Sequence, residues 1–363
     1  MKQLVETKAA RLRLKLLGAS ALMVLLAACG DHPPKDDDDD DDPPPQNAAI
    51  TIVAGDPTAS GTRDATGTSA RFNTPRGITI DANGNLYVAD QVNATIRRIT
   101  PSGVVTTLAG RAEARESIDG TGANARFTSP AAIAIDSNNV MYVADARAVR
   151  RVGLDGRVDT LFTLPIGSNV ASGSLNHVYT GGIDVDSSGN VYVTNGYGTR
   201  RINSFGVATM IEGVATQNNL TGTRDFLPRG VAVDDSNVVY VADLTNTISK
   251  VNGTGNGLTR FVGSSGITGS TNGTGTSASF ERVVAMTADP QGNLYVADGV
   301  NNLIRKITPG GVVSTIAGTV RGTSLKTGPL EGSSFADLRG ITTDGKGTLY
   351  ATSGHAVIKI VLP

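Results

Sequence analysis

Residues 77–90 read GITIDANGNLYVAD, and five later segments repeat the design: AIAIDSNNVMYVAD (132–145), GIDVDSSGNVYVTN (182–195), GVAVDDSNVVYVAD (230–243), AMTADPQGNLYVAD (285–298) and GITTDGKGTLYATS (340–353). In each copy a short apolar run stops at an aspartate. A Gly/Asn/Ser turn follows, and the chain resumes as a stretch rich in β-formers, which together spell a β-hairpin. The tyrosines of the six copies, Tyr87, Tyr142, Tyr192, Tyr240, Tyr295 and Tyr350, recur every 48 to 55 residues. That period is the length of one propeller blade.

Outward from the hairpin, a basic-apolar third strand follows in every unit, for example TIRRI at 95–99, AVRRV at 148–152 and LIRKI at 303–307. A fourth strand such as VVTTLAG (104–110) comes next, so each unit makes one four-stranded blade. The sixth unit stops at Pro363 just after its third strand, whereas an orphan strand, AITIVAG at 49–55, precedes the first full unit. The expected fold is therefore all-β: a six-bladed β-propeller over residues 48–363, closed by the N-terminal strand completing the last blade. Closure of this kind removes two long sheet edges that would otherwise be open to aggregation.

The recurring P-x-G-I…D…G-N-L-Y-V-A-D…N-x-I-R-K-I pattern resembles the NHL-repeat family, and the resemblance covers residues 48–363. It implies the propeller fold but no single activity, because this scaffold hosts receptors, RNA binders, lyases and lactonases. Blades 3 and 6 depart from the pattern, with Asn195 and Ser353 where the other units have aspartate.

Composition agrees with short strands and tight turns: 44 Gly, 15 Pro, no Trp and 39% apolar residues in 363. The net charge of −1 conceals an asymmetry, because Asp31 and Asp36 to Asp42 follow the leader as one acidic tract. The remainder, with 26 basic and 24 acidic residues, lacks the concentrated basic surface of nucleic-acid binders. No nucleic-acid partner is expected.

Residues 1–28 combine five basic residues with a short apolar run, Ala19 to Ala28. Such a run is too short to span a bilayer, which takes about 20 apolar residues. Leu26-Ala27-Ala28-Cys29 resembles the lipobox of bacterial lipoproteins, and Cys29 is the single cysteine of the chain. The resemblance implies cleavage before Cys29, acylation there and a stable membrane anchor. Gly30 in place of aspartate implies sorting to the outer membrane of the cell envelope, periplasmic or surface-facing. Residues 29–47 would then be the lipidated cysteine and an extended acidic, proline-rich tether.

In a meandering blade the second-to-third and inter-blade loops share one face, and here they are the longer set. Long loops on a rigid scaffold are where binding sites usually reside. Arg76, Arg229 and Arg339 each begin an innermost strand near the opening on that face. Two readings stay open: a cationic channel mouth for an anionic ligand, or Arg–Asp pairs with Asp90 and Asp243 in blades 1 and 4. Arg339 lacks such an aspartate and groups with His355 and Tyr350. The aspartates Asp90, Asp145, Asp243 and Asp298 are expected to receive backbone N–H groups of their own loops, with Asn93 and Asn246 alongside. Tyr179 and Tyr197 are the two tyrosines outside the scaffold motif and the candidate stacking groups for a sugar.

The function that follows is an extracytoplasmic, lipid-anchored module binding an envelope protein or a small ligand. The alternative is a metal-dependent lactonase or lyase of the gluconolactonase or peptidyl-hydroxyglycine lyase type. Three histidines in the chain, His32, His177 and His355, are too few for a His-rich zinc site on a six-bladed ring. No catalytic residue, metal site or cofactor is assigned. Ca²⁺ is the one ion the aspartates are suited to attract.

Overall fold

The computed structural model describes residues 48–163, 180–195, 198–211, 228–252 and 257–363. The expected signal peptide, Cys29, the tether, His177, Tyr179 and Tyr197 lie outside the described residues.

Six antiparallel sheets are present, each a meander running from an inner strand outward. Blade 1 consists of Pro75–Ile80, Leu86–Asp90, Thr95–Ile99 and Val105–Gly110. Blades 2 to 6 repeat it, with inner strands Pro130–Ile135, Thr180–Val185, Pro228–Val233, Val283–Ala288 and Leu338–Thr343. Ala49–Gly55 pairs antiparallel with Ala356–Val361, so the N-terminal strand supplies the outer strand of blade 6. The ring closes as the sequence predicts.

The local cause of the hairpin is the aspartate ending each inner strand. Asp81 Oδ1 accepts the N–H groups of Asn83 (2.9 Å) and Asn85 (2.8 Å), and its Oδ2 accepts the Tyr87 hydroxyl at 3.0 Å. One carboxylate thus folds the turn and holds the tyrosine of the next strand. The same hydroxyl bond recurs at Tyr142 (3.2 Å), Tyr192 (3.1 Å), Tyr240 (3.1 Å) and Tyr295 (3.0 Å). Burial, then the adjacent carboxylate, pushes the Tyr87 hydroxyl up to about 12.

Among the described residues the apolar side chains form several clusters and no single central core. Apolar side chains are buried between neighbouring blades: Tyr295, Ala297 and Ile304 of blade 5 pack with Ile341, Leu349 and Ile358 of blade 6 and with Ile50 of the closing strand. Each blade is consequently stable only against its neighbours, as in other repeat architectures. Inner strands converge tightly at the axis, and a β-carbon at Gly340 would lie 2.0 Å from the Arg76 carbonyl oxygen.

Three of the inter-blade segments are themselves repeated. Residues 64–72 (DATGTSARF), 119–127 (DGTGANARF) and 272–280 (NGTGTSASF) are one repeated element. In blades 2 and 5 it adds a short edge strand, Gly120–Thr121 or Gly273–Thr274, to the outer strand, followed by a three-residue 3-10 turn. The glycine N–H groups at 67, 122 and 275 donate to the carbonyls of Gly103 (2.9 Å), Gly156 (2.9 Å) and Gly311 (3.0 Å). Through these bonds the loops shield sheet edges.

Candidate functional site

Two kinds of arginine sit on the loop-bearing face. The first kind is on the third strands. Arg97 donates to Asp90 Oδ2 (2.9 Å), the Arg71 carbonyl (2.9 Å) and Asp64 Oδ1 (2.5 Å), and its guanidinium lies 5.0 Å from the centroid of Phe72. Arg150 does the same with Asp145 (3.3 Å), Asp119 (2.8 Å) and Phe127, and Arg305 with Asp298 (3.2 Å), Asn272 (2.9 Å) and Phe280. All three arginines and their inner aspartates are essentially fully buried. Burial raises the Asp90 carboxyl to about 6 against the opposing pull of the Asn73 N–H and Arg97.

This overturns the expected pairing of Arg76 with Asp90 and of Arg229 with Asp243. Asp90 is taken by Arg97 of the adjacent third strand, whereas in blade 4 Ser249 stands where Arg97 does and Asp243 instead accepts Thr245 N–H (2.9 Å), Thr247 N–H (3.1 Å) and the Thr247 hydroxyl (2.8 Å). The expectation that these aspartates hold their own loops is met at Asp243 alone: Asp90 accepts Asn73 N–H at 2.8 Å, Asp145 accepts Ser129 N–H at 2.6 Å and Asp298 accepts Glu281 N–H at 2.8 Å, so these three hold the segment that precedes their blade's inner strand.

Several candidate ligand groups are occupied within the scaffold. Asn93 donates to Gly61 O and Asp90 Oδ2, both at 2.7 Å. Asn246 Oδ1 accepts Arg282 N–H (2.8 Å), Asn302 Oδ1 accepts Leu338 N–H (3.1 Å) and His355 Nδ1 accepts Thr74 N–H (3.1 Å). The last three bonds tie one blade to the backbone at the entry to the next inner strand. The grouping of Arg339 with His355 and Tyr350 dissolves accordingly: His355 latches blade 6 to blade 1, and Arg339 pairs with Asp337 through Nε and Nη2, both at 2.7 Å. Several outer basic residues of the third strands act within their own blade. Arg98 bonds Asn85 (3.1 Å), Arg151 bonds Asp159, and Lys250 lies 4.0 Å from the centroid of Phe261, all within one blade.

The second kind of arginine rings the channel mouth. Arg76, Arg229 and Arg339 are the second residues of their inner strands, and Arg282 directly precedes the inner strand of blade 5. Among the described residues the side chains of Arg76, Arg229 and Arg282 make no hydrogen bond or ion pair, and Arg229 Nε is buried without a partner. Burial, followed by the positive charges of Arg339, Arg282 and Arg229, lowers the Arg76 guanidinium to about 10. Below the mouth, Arg76, Ala131, Gly181 and Arg339 line a neck of about 50 Å³, room for a water or two.

The far end of the channel is different. A chamber of about 200 Å³ is lined by Thr79, Thr287, Thr342, Thr343 and one carboxylate, Asp184. Asp184 accepts the N–H groups of Val185 (2.9 Å) and Val233 (2.8 Å), and burial pushes it up to about 7. The other blades have Thr79, Ala134, Ala232, Thr287 and Thr342 at this strand position. Sequence reasoning passed over this difference, although the aligned repeats display it. Among the described residues no three His, Cys, Asp or Glu side chains converge.

Residues 50–121 match the family model of the teneurin NHL domain. The chain is 34% identical over 111 residues to NHL repeat-containing protein 2 of Bos taurus, an alignment covering 30% of this chain and 15% of that relative's length. Among solved structures, it resembles an auxiliary nutrient binding protein of Bacteroides ovatus (TM-score 0.65, 17% identity, 87% of this chain and 76% of that one). It also resembles virginiamycin B lyase of Staphylococcus aureus (TM-score 0.53, 16% identity, 80% and 96%). Identities this low speak to the fold alone. The repeated hairpins and the closed ring of six blades make this chain a six-bladed β-propeller, and its first repeat matches the NHL model.

Proposed function

We propose that this chain is a lipid-anchored, extracytoplasmic binding module whose ligand or partner is received on the arginine-bearing face of the propeller. The observation that carries the reading is the mouth itself. Three guanidinium groups converge there with no partner among the described residues, on a scaffold that satisfies the buried Arg97, Arg150 and Arg305 internally. Anchoring rests on Leu26-Ala27-Ala28-Cys29 and the acidic tract behind it. The Bacteroides relative named as a nutrient binding protein supports a binding role on this fold.

Two arms test the proposal. Palmitate labelling and membrane fractionation of the full chain should show a labelled, sedimenting protein, and Cys29→Ser should be unlabelled and released. Unchanged sedimentation of the variant would overturn the anchor. A thermal-shift screen against sugars, peptides, lactones, organic anions and divalent metals tests binding. A metal-induced rise reversed by EDTA would turn the reading towards a lactonase or lyase, and lactone hydrolysis would be assayed next.

A further inference from the structure

We propose that the mouth binds a small organic acid carrying at least two oxyanion groups, its anionic groups on blades 4, 5, 6 and 1 and its uncharged body over blades 2 and 3. The inference rests on the binding-module reading and names its ligand class. At the second position of the inner strand the six blades carry Arg76, Ala131, Gly181, Arg229, Val284 and Arg339. Blade 5 lacks an arginine there but supplies Arg282 two residues earlier. Four consecutive blades are thus cationic, and the two remaining blades present only a methyl group or a hydrogen.

Like charges held together without counter-charge raise the energy of the empty protein, and an anion relieves that repulsion. Asp337 is the one carboxylate bonded to this group among the described residues, and it is committed to Arg339. One carboxylate satisfies one guanidinium in a bidentate manner, so three unpaired guanidinium groups match two or more oxyanions better than one. The narrow neck stops a molecule of that size from entering the channel, which keeps it on the mouth. Ala131 and Gly181 leave room on the opposite side for the part of the ligand without charge.

The test uses purified full-length protein and isothermal titration with citrate, succinate, inorganic phosphate and uncharged succinamide. Citrate or succinate should bind, weaken as salt increases, and lose at least tenfold in affinity in Arg76→Gln and in Arg282→Gln, the latter at an exposed side chain whose loss leaves the fold intact. Arg157→Gln, on the exposed outer strand of blade 2, should bind normally. Without ligand, Arg76→Gln should melt a few degrees higher than the unmodified chain, because repulsion is removed and no bond is lost. A lower melting temperature would assign Arg76 to the scaffold and overturn the inference. Failure of every anion, or equal binding of succinamide, would also overturn it. Failure of the anions, or equal binding of succinamide, leaves the binding-module reading standing, because the sugar and peptide arms of the thermal screen test it separately.

Discussion

Arg97 and Arg76 belong to the same blade and have opposite circumstances. Arg97 is buried, stacked on Phe72 and bonded to two aspartates and a carbonyl. Arg76 faces other arginines and bonds to no described side chain. The first pattern recurs with its partners at Arg150 and Arg305, whereas the second is distributed unevenly around the ring. What separates scaffold from site is thus whether the charge arrives with its counter-charge. A guanidinium copied together with its aspartate and phenylalanine is architecture, and one copied without them is left for something outside the chain.

The comparison breaks if a third-strand arginine proves dispensable. Arg305→Ala strands Asp298 as a buried carboxylate with only the Glu281 N–H and Asn301 for partners, and removes the donor that ties Ser279 and Thr271 to blade 5. Breaking a buried pair in this way costs about 3–5 kcal/mol. Urea unfolding of the variant should show that loss. A cost under about 1 kcal/mol, the range of exposed pairs, would mean the buried triads are not what holds the segments to the blades.

Much of this architecture is legible in the sequence. The six Asp…Tyr hairpins, their period and the fourth strand missing from unit six lead directly to the closed ring, because each feature is local in sequence and repeated. The arginine triads are not found that way. Asp64, Phe72, Asp90 and Arg97 span 34 residues and three structural elements, and the nine-residue element containing Asp64 and Phe72 looks like irregular loop until its three copies are aligned. Pairing Arg76 with Asp90 by register is wrong for a similar reason: spacing along a hairpin brings two residues to one end of a blade but does not say which of two nearby arginines turns inward. The mouth itself was visible in Arg76, Arg229 and Arg339, while Arg282 was missed because it lies outside the aligned strand position.

Asp184 extends the comparison to the far end of the channel, where a lone carboxylate sits among threonines. Its folded pKa of about 7 lies above the ordinary carboxylate value of 3.8, burial being the cause. The folded state therefore holds the proton more tightly than the unfolded chain does. This contribution to stability is complete below about pH 4 and is lost as pH rises through 7. Because the side chain also borders a chamber open to water, the change is on the order of 2 kcal/mol. Asp184→Asn should remove this component from the pH dependence of urea stability between pH 4 and 8. A slope identical to that of the unmodified chain would show that folding leaves the titration of Asp184 unchanged.

The finest test concerns the hairpin tyrosines, where repetition in sequence overstates repetition in bonding. Tyr87 donates to Asp81, a carboxylate that Asn85 Nδ2 also holds at 2.8 Å. Tyr350 occupies the same place in blade 6, yet its hydroxyl makes no hydrogen bond among the described residues, and Asp344 acts on it only through charge. Tyr87→Phe should cost about 1 kcal/mol, the net worth of one internal hydrogen bond. Asp81 is not orphaned by the change, which keeps the cost from rising further. Tyr350→Phe removes a hydroxyl with no partner to lose and should be close to neutral in the same urea titration. A Tyr87→Phe variant as stable as the unmodified chain would mean that the hydroxyl bond adds nothing, so that the motif is held by burial of the ring and the aspartate serves the turn alone.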